Sequence, residues 1–366
     1  MEKIRLGIIG TGQIAAVHIR EYQQMAGVEV VAVAGRHEEK ARQVAQTYQI
    51  PHYYDDFRNM VARDDIDMVD ICLHNNLHMP AALTAFEAGK HVYCEKPIAG
   101  SFADGLKMVE AAKRAGLNLS IQLSSLFQNE TKAAKAIIDQ DLLGRIYHVR
   151  SVGLRRRGRP YVDGYGTPQF VQKETSGGGA VFDMGVYHLG CILYLLGNPA
   201  VVSISGKTYQ EIDMDPGRKK TSGFDVEELG AGFIRLGGNL SLDFFESWAA
   251  NLTSVSGSMI LGSKGGICLE PFSFAFGSGD LDLNATPDMK TFDYLIHNIR
   301  QNSDAYDSPQ KHWIAALQGR VDLIPTADIA LNAMLISEGI YFSEQLGREV
   351  TANEVKLKSR STSLTF

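Results

Sequence analysis

Residues 4–15, IRLGIIGTGQIA, decide the fold class of this 366-residue chain. A short apolar run typical of a β-strand leads directly into a glycine turn, and a helical pattern follows up to Met25. In such a unit the glycines allow a tight turn and close backbone approach to a pyrophosphate, while the helix amino terminus offers unpaired N–H groups to the anion. The residues expected to contact a dinucleotide in this turn are Gly10, Thr11, Gly12, Gln13 and Ile14.

The end of the second predicted strand, Val28–Ala34, bears on the choice between NAD and NADP. An acidic side chain at this position accepts hydrogen bonds from the adenosine ribose of NAD. This sequence has Gly35 and Arg36 instead, so no carboxylate repels a 2′-phosphate and Arg36 can pair with it. NADP is therefore favoured over NAD, although Arg36 can equally be the exposed start of the next helix.

Two further apolar strands, 68–73 and 91–94, alternate with helical patterns at 80–88 and 102–115. The alternation predicts a doubly wound parallel sheet, in which ligands bind beyond the carboxyl ends of the strands. Polar residues stand at those ends, and they extend the predicted cofactor site by Asn75, His78, Glu95 and Lys96.

Composition limits the classes of protein to which the chain can belong. Its length suggests two domains, at roughly 150 residues per domain. It contains 45% hydrophobic and 21% charged residues, no apolar run long enough to cross a membrane and no signal-peptide pattern, so a cytoplasmic location and no membrane partner are expected. The net charge of −6 argues against nucleic acid as a partner. The basic run 155–159 is interpreted as a solvated turn or, alternatively, as a contact to an anionic substrate or a neighbouring subunit.

The four cysteines are too widely spaced for a disulfide framework or a structural zinc site. Buried thiols are expected, and no metal site is predicted.

Four motifs resemble the Gfo/Idh/MocA family, named after glucose-fructose oxidoreductase, inositol dehydrogenase and a rhizopine-catabolism protein. They are GTGQIA at 10–15, LHNNLH at 73–78, AGKHVYCEKP at 88–97 and GGGAVFDMGVYHL at 177–189. The resemblance implies an α/β fold with a Rossmann domain over 1–122 and a C-terminal α/β domain over 123–350, whose large, open, mainly antiparallel sheet often forms the subunit interface of a homodimer or homotetramer. Residues 351–366, rich in Ser, Thr and Lys at their end, are predicted to be a loosely held tail.

The same resemblance implies oxidation of sugars, inositols or related polyols, or reduction of their ketones, without a metal. Two loops depart from the common pattern. LHNNLH stands where many members have T-P-x-x-x-H, and residues 125–129, SLFQN, stand where they read R-R-F-D-P. Because these loops reach toward the nicotinamide and the substrate, the identity of the substrate is left open.

Hydride transfer from a carbinol carbon needs a base for the hydroxyl and a positive charge near the developing alkoxide. Lys96 suits the second task, and its neighbour Glu95 either orients it or contacts the nicotinamide ribose. Asp183 and Tyr187 are expected on one stripe of a buried helix spanning 180–196, with Asp183 binding substrate hydroxyls or the Lys96 ammonium. Tyr187 is favoured as the acid/base over His188, which the helical periodicity places on the apolar side.

Two other functions remain open at this point. One is a redox-neutral lyase or glycosidase in which tightly held NAD oxidises a hydroxyl transiently. The other is a non-catalytic nucleotide sensor, which would lack a coherent acid/base set.

Overall fold

The computed structural model describes residues 3–364, which form two compact units. The first unit contains the chain up to Gln122, the segment Asn302–Ala327 and the C-terminal residues from Ser361. The second contains Leu123–Gln301 and Asp328–Arg360. Each unit is thus assembled from segments that are far apart in the sequence.

The first 122 residues alternate between strands and helices. The strands are β1 (Ile4–Ile9), β2 (Val28–Ala34), β3 (His52–Tyr54), β4 (Met68–Ile71), β5 (His91–Cys94) and β6 (Leu119–Ile121). The helices are α1 (Gln13–Gln23), α2 (Glu38–Tyr48), α3 (Phe57–Val61), α4 (Asn75–Glu87) and α5 (Phe102–Ala115).

The remaining elements are arranged differently, with most strands following one another directly. The helices are α6 (Asn129–Asp139), α7 (Lys173–Ser176), α8 (Ala180–Asp183), α9 (Gly185–Leu195), α10 (Pro216–Ser222), α11 (Met289–Ile299), α12 (Pro309–Leu317), α13 (Thr326–Leu346) and α14 (Ala352–Lys358). The strands are β7 (Ile146–Leu154), β8 (Val201–Tyr209), β9 (Leu229–Leu236), β10 (Leu240–Ser247), β11 (Met259–Gly262), β12 (Gly265–Leu269), β13 (Phe272–Ser278), β14 (Leu281–Ala285) and β15 (Val350–Thr351). Short 3-10 turns lie at Ser124–Phe127, Pro168–Val171 and Ser303–Tyr306.

The six strands of the first unit form a parallel sheet in the order β3-β2-β1-β4-β5-β6, which confirms the predicted doubly wound fold. The strands read as continuous apolar runs because helices cover both faces of the sheet. The chain order reverses between β1 and β4, which places the glycine turn after β1 beside the polar residues after β4.

The segment Asn302–Ala327 completes the core of this unit. Trp313 on α12 is fully buried among β-sheet residues, and its indole N–H donates to Met68 Sδ at 3.0 Å. Nothing in the local sequence pattern links α12 to strands more than 200 residues earlier.

The second unit contains a nine-stranded sheet in the order β14-β13-β12-β11-β7-β10-β9-β8-β15. All neighbouring strands are antiparallel except β7 and β10, which run parallel. The prediction of a large, mainly antiparallel sheet is therefore confirmed. Strands β8, β9 and β10 contain the runs 201–206, 230–236 and most of 240–248, for which the sequence pattern and the glycine turns between them predict strands.

The expected continuous helix over 180–196 is wrong. It is interrupted at Met184, and the axis through Lys173–Asp183 is bent by 50° from that of Gly185–Leu195. A buried carboxylate, Glu227, accepts hydrogen bonds from the N–H groups of Gly179 and Val181 at 2.9–3.0 Å. It caps α8 as a separate short helix, which local periodicity alone does not reveal.

The predicted loose tail is also wrong over most of its length. Thr351 and Glu354 form a reciprocal capping box that starts α14, and β15 pairs with β8. Farther on, Thr362 N–H donates to the buried Asp104 carboxylate at 2.9 Å, and Leu364 N–H donates to Asn76 O at 3.1 Å. These contacts within the first unit hold the C-terminal residues in place. Residues 365–366 lie outside the described residues.

No single helix among residues 3–364 has the length and hydropathy of a membrane span, although the bent pair Lys173–Asp183 and Gly185–Leu195 meets these criteria jointly.

Candidate active site

The glycine turn after β1 has the geometry needed to receive a pyrophosphate. Gly10 has a φ of +127°, and a Cβ at this position would lie 2.3 Å from the carbonyl oxygen of Cys72, so no other residue fits. Gly12 forms the amino-terminal cap of α1 without any side-chain cap, and the space around its Cα is open. Thr11 lies against Gly35, while Gln13 and Ile14 are exposed in the first turn of α1. No side chain caps the amino terminus of α1 at Gly12, and the space beside this glycine is open, as a dinucleotide site requires.

Arg36 lies at the same edge, just beyond β2, and its side chain is exposed. Burial lowers the pKa of His74, and the nearby Arg36 charge lowers it further. The Arg36 charge therefore acts on His74 within the first unit, and Asn75 starts the adjoining helix α4. This edge offers basic side chains and no carboxylate at position 35 or 36.

His78, also predicted to bind the cofactor, is fully buried within the first unit. Its Nδ1 lies 3.0 Å from the carbonyl oxygen of Pro97, and its Nε2 lies 3.1 Å from that of Leu73. The ring therefore joins the loop after β4 to the loop after β5. A direct contact between His78 and a dinucleotide stays a prediction.

Glu95 is almost fully buried at the end of β5 and belongs to a chain of ionisable groups. One carboxylate oxygen accepts the N–H of Lys96 at 3.1 Å, and the other lies 3.1 Å from His18 Nε2. On the opposite side of the ring, His18 Nδ1 lies 2.8 Å from the carboxylate of Asp70, and Cys72 Sγ lies 3.4 Å from the same carboxylate. The half-buried Lys96 follows directly, and a cis peptide bond joins it to Pro97.

His18, Asp70 and Cys72 offer three potential metal ligands within 4.8 Å of one another. The 2.8 Å separation of His18 and Asp70 is nevertheless a hydrogen-bond distance. Ligand atoms about 2 Å from a tetrahedral zinc ion stand more than 3 Å apart, so the observed spacing is that of an ion-pair network.

In the second unit, Asp183 lies at the end of α8 and is partly buried. The indole N–H of the fully buried Trp248 donates to its carboxylate at 3.0 Å. This hydrogen bond holds one carboxylate oxygen of Asp183 in place. The side chain of Tyr187, on the first turn of α9, is partly buried, and its backbone carbonyl accepts the hydroxyl of Ser125 at 2.7 Å.

His188 contacts a carboxylate that the sequence analysis did not anticipate. Its Nδ1 lies 2.7 Å from the carboxylate of Glu246, which is 1% exposed on β10, while 24% of the His188 side chain remains accessible. Burial lowers the pKa of His188, but the charge and hydrogen bond of Glu246 outweigh this effect and raise it overall. The side of α9 that carries His188 therefore faces a buried carboxylate, which the helical periodicity does not reveal.

Gly153 on β7 makes room for this pair. A Cβ at Gly153 would lie 2.1 Å from Glu246 Oε1 and 2.5 Å from His188 Cε1. The imidazole therefore lies close to β7 at Gly153, on the side of α9 that packs on this strand.

The basic run after β7 is only partly a solvated turn. Arg156 and Arg157 are exposed, whereas Arg159 is buried and pairs with Asp163 and Glu228, each at 2.9 Å. Arg155 donates to the hydroxyl of Tyr165 at 2.6 Å and stacks near its ring. Arg159 therefore stabilises the loop from within, because its charge is balanced by two carboxylates.

Several residues of these clusters were missed, although the sequence contains a signal for them. Residues 240–248 alternate so that Leu242, Phe244, Glu246 and Trp248 share one face, and its three apolar members mark it as the core face. A glutamate in that register is buried and requires a partner. Asp70 gives the same signal, because it stands inside the apolar run 68–73. In the structure all four residues of β4 are buried.

The prediction that the cysteine thiols are buried is confirmed for three of the four cysteines. Cys72, Cys94 and Cys191 are buried, Cys268 is partly exposed, and all four are free.

Comparison with known proteins fits this architecture. Residues 4–123 match the oxidoreductase family with an NAD-binding Rossmann fold, and residues 131–268 match the GFO/IDH/MocA C-terminal domain. The D-glucoside 3-dehydrogenase of Escherichia coli K12 is 33% identical over 282 residues, which are 73% of this chain and 77% of that protein. An inositol 2-dehydrogenase/D-chiro-inositol 3-dehydrogenase of Shouchella clausii is 36% identical over 41% of this chain and 44% of its own length.

Among solved structures, levoglucosan dehydrogenase in complex with NADH and L-sorbose superposes with a TM-score of 0.79 over 96% of this chain and 99% of the other, at 20% identity. Aldose-aldose oxidoreductase from Caulobacter crescentus gives a TM-score of 0.74 over 96% of this chain and 100% of the other, at 22% identity. These likenesses concern the fold. Together with the matches along the sequence, they lead to one conclusion: the chain belongs to the GFO/IDH/MocA family of NAD-binding oxidoreductases.

Proposed function

We propose that this chain transfers a hydride between NADP or NAD and a secondary hydroxyl, or the corresponding ketone, of a sugar, an inositol or a related polyol. Supporting this substrate class, two of its relatives are a glucoside 3-dehydrogenase and an inositol dehydrogenase. The observation that carries the proposal lies in the second unit, where Trp248 holds Asp183 and Glu246 holds His188. A carboxylate and an imidazole held in this way, with Tyr187 on the same short segment, suit the binding of several hydroxyls and the transfer of a proton.

The bound nicotinamide supplies the hydride chemistry. Tyr187 takes the proton from the substrate hydroxyl in the direction of oxidation and returns it in reduction. For Lys96 we propose stabilisation of the developing alkoxide by its positive charge, and for Asp183 the binding of a substrate hydroxyl. We assign proton transfer to Tyr187 because the ring of His188 packs against Gly153 and engages Glu246.

Three sets of residues would hold the dinucleotide. The pyrophosphate would be bound by Gly10, Thr11, Gly12, Gln13 and Ile14, and the adenosine ribose by Gly35 and Arg36. The nicotinamide side would be bound by Asn75, His78, Glu95 and Lys96. We favour NADP, because Arg36 is exposed beside His74 and no acidic residue stands at position 35 or 36.

Replacing Arg36 by glutamate tests this preference. We expect the dissociation constant for NADPH to rise about tenfold or more, because a carboxylate would meet the 2′-phosphate, while that for NADH changes little. Lys40→Glu, on the exposed face of α2, is the matched control for the change in net charge. Equal effects of Arg36→Glu on both cofactors would contradict the assignment of NADP.

We also propose that the chain forms a homodimer or homotetramer through the outer face of its second sheet. Exposed apolar side chains on this unit support an interface there; they include Val202, Tyr209, Phe233, Leu281 and Leu283. Light scattering after size exclusion tests this proposal: Phe233→Glu should lower the mass of an oligomer, and a monomeric wild type would contradict it.

The experiment that tests the function begins with titration of the purified protein by NAD(H) and NADP(H), followed through the fluorescence of the reduced nicotinamide. Turnover is then followed by nicotinamide absorbance with glucose, methyl glucosides, levoglucosan and inositols. Binding with substrate-dependent turnover supports the proposal. Retention of cofactor with product formed but no net absorbance change would indicate the redox-neutral lyase or glycosidase. Binding without any chemistry would indicate a sensor, and failure to bind either dinucleotide would contradict the proposal.

A further inference from the structure

The buried ion-pair chain of the first unit contains a group that the proposed reaction does not use. His18 projects from α1 into the sheet and is 1% exposed. Its two ring nitrogens lie 2.8 Å from Asp70 and 3.1 Å from Glu95, two carboxylates that are themselves almost fully buried. The ring of Tyr93 lies edge-on, with the centroids 6.0 Å apart.

The protonation state of His18 follows from counting donors. A neutral imidazole has one N–H and one lone pair, so it can donate to only one of the two carboxylates. Its lone pair would then face the other carboxylate at about 3 Å in a buried site, which is strongly unfavourable. An imidazolium hydrogen-bonds to Asp70, forms an ion pair with Glu95 and offsets part of the negative charge of both.

The surrounding groups favour the same state. Burial lowers the pKa of His18, but the Asp70 charge, with its hydrogen bond, raises it far above the ordinary histidine value. Burial raises the pKa values of the neighbouring Cys72 thiol and Tyr22 phenol, so both stay neutral. The ionisable groups around His18 are Glu21 and Tyr22 on α1, Asp70 and Cys72 on β4, and Tyr93 and Glu95 on and just after β5.

We propose that His18 is a positioning residue, a buried imidazolium that bridges Asp70 and Glu95 and so holds Glu95 fixed where it contacts the ribose of the bound dinucleotide. This inference rests on the proposed function, because it concerns the affinity of that same cofactor site. Asp70 anchors the far side of the ring, since its carboxylate is 0% exposed on a central strand and cannot move without disturbing the sheet. Glu95 also accepts the N–H of Lys96, so the bridge constrains both residues at the end of β5.

Two amide substitutions separate the two contacts of the ring. His18→Asn keeps a donor near the position of Nδ1, toward Asp70, but cannot reach Glu95. His18→Gln keeps a donor near the position of Nε2, toward Glu95. We expect His18→Asn to weaken binding of the preferred reduced dinucleotide about tenfold, and His18→Gln to recover part of that loss. A role limited to filling the core would not produce this order.

A double-mutant cycle with Glu95→Gln gives the decisive measurement, with the dissociation constant from nicotinamide fluorescence as the readout. If His18 acts through Glu95, His18→Asn causes no further loss in the Glu95→Gln background. Additive losses in a protein whose wild type binds dinucleotide would overturn the inference while leaving the proposed function intact. A wild type that binds neither cofactor would overturn both. His52→Gln, an exposed histidine on β3, is the matched control, and thermal denaturation without cofactor verifies that each variant is folded.

The charge of His18 is measured independently in the wild type. Nitrogen-15 NMR of histidine-labelled protein, with His18→Asn for assignment, should show both ring nitrogens protonated from slightly acidic to slightly alkaline pH. A ring that titrates near the ordinary histidine value would overturn the inference.

Discussion

The two units each contain a histidine paired with a buried carboxylate, and the two pairs differ in what the second ring nitrogen can do. In the first unit, His18 is enclosed, with a carboxylate at each nitrogen. In the second, His188 has Glu246 at Nδ1, and about a quarter of its side chain remains accessible. An enclosed imidazole with two anionic partners keeps its proton, whereas an imidazole with one anionic partner and an accessible edge can exchange one. A histidine paired with a buried carboxylate is thus suited to a permanent positive charge in the first unit and to a pH-dependent charge in the second.

The largest effect expected separates catalysis from positioning in the second unit. Tyr187→Phe removes the proposed acid/base, so kcat should fall by about 10²–10⁴-fold. His188→Gln removes only the pair with Glu246, so its effect on kcat should be clearly smaller. Steady-state kinetics of both variants, with the exposed Tyr147→Phe as control, make the comparison. The opposite order would identify His188 as the acid/base and show that its accessible edge takes part in the reaction.

A smaller effect is expected from crowding the second pair without altering its chemistry. Gly153→Ala introduces a methyl group 2.1 Å from Glu246 Oε1, so the carboxylate and His188 must move. We expect a loss of about 1–3 kcal/mol in the free energy of unfolding, measured by denaturant titration. Gly277→Ala on β13 is the control, because a Cβ there meets nothing within 4 Å. An unchanged stability of Gly153→Ala would show that the His188–Glu246 pair is loosely held.

The smallest effect is a pH dependence that should distinguish the two histidines. The folded-state pKa of His188 is raised, so its stabilising contribution is complete below the ordinary histidine pKa and is lost as the pH rises through the folded value. The melting-temperature advantage of wild type over His188→Gln should therefore shrink between pH values of about 6 and 9. Because the folded-state pKa of His18 is raised much farther than that of His188, the advantage of wild type over His18→Asn should continue to fall at pH values where the advantage over His188→Gln has levelled off. Curves that level off at the same pH would remove the proposed difference between the pairs.

The order of apolar runs and turns along the chain already determined much of this protein. The strand–glycine–helix start, the alternating strands of the first 122 residues and the short strands of the second sheet follow from local periodicity and turn chemistry. Gly10 and Gly12 could be assigned because their requirement is local: a tight turn and close backbone approach. The positions of Asp183, Tyr187 and His188 on one segment were likewise visible, although the bend at Met184 was not.

Only the tertiary structure decided which of these residues meet. Asp70 lies 52 residues from His18, Glu246 lies 58 from His188, and Trp248 lies 65 from Asp183. Such pairs depend on strand order and register, which bring distant residues together and which no local pattern specifies. The cap of α8 by Glu227 and the insertion of Trp313 into the first core arise in the same way. A charged residue in an apolar run indicates from the sequence that a buried partner is needed. Only the fold determines which residue that partner is, because the cost of burial is offset only by a group that packing places within hydrogen-bond distance.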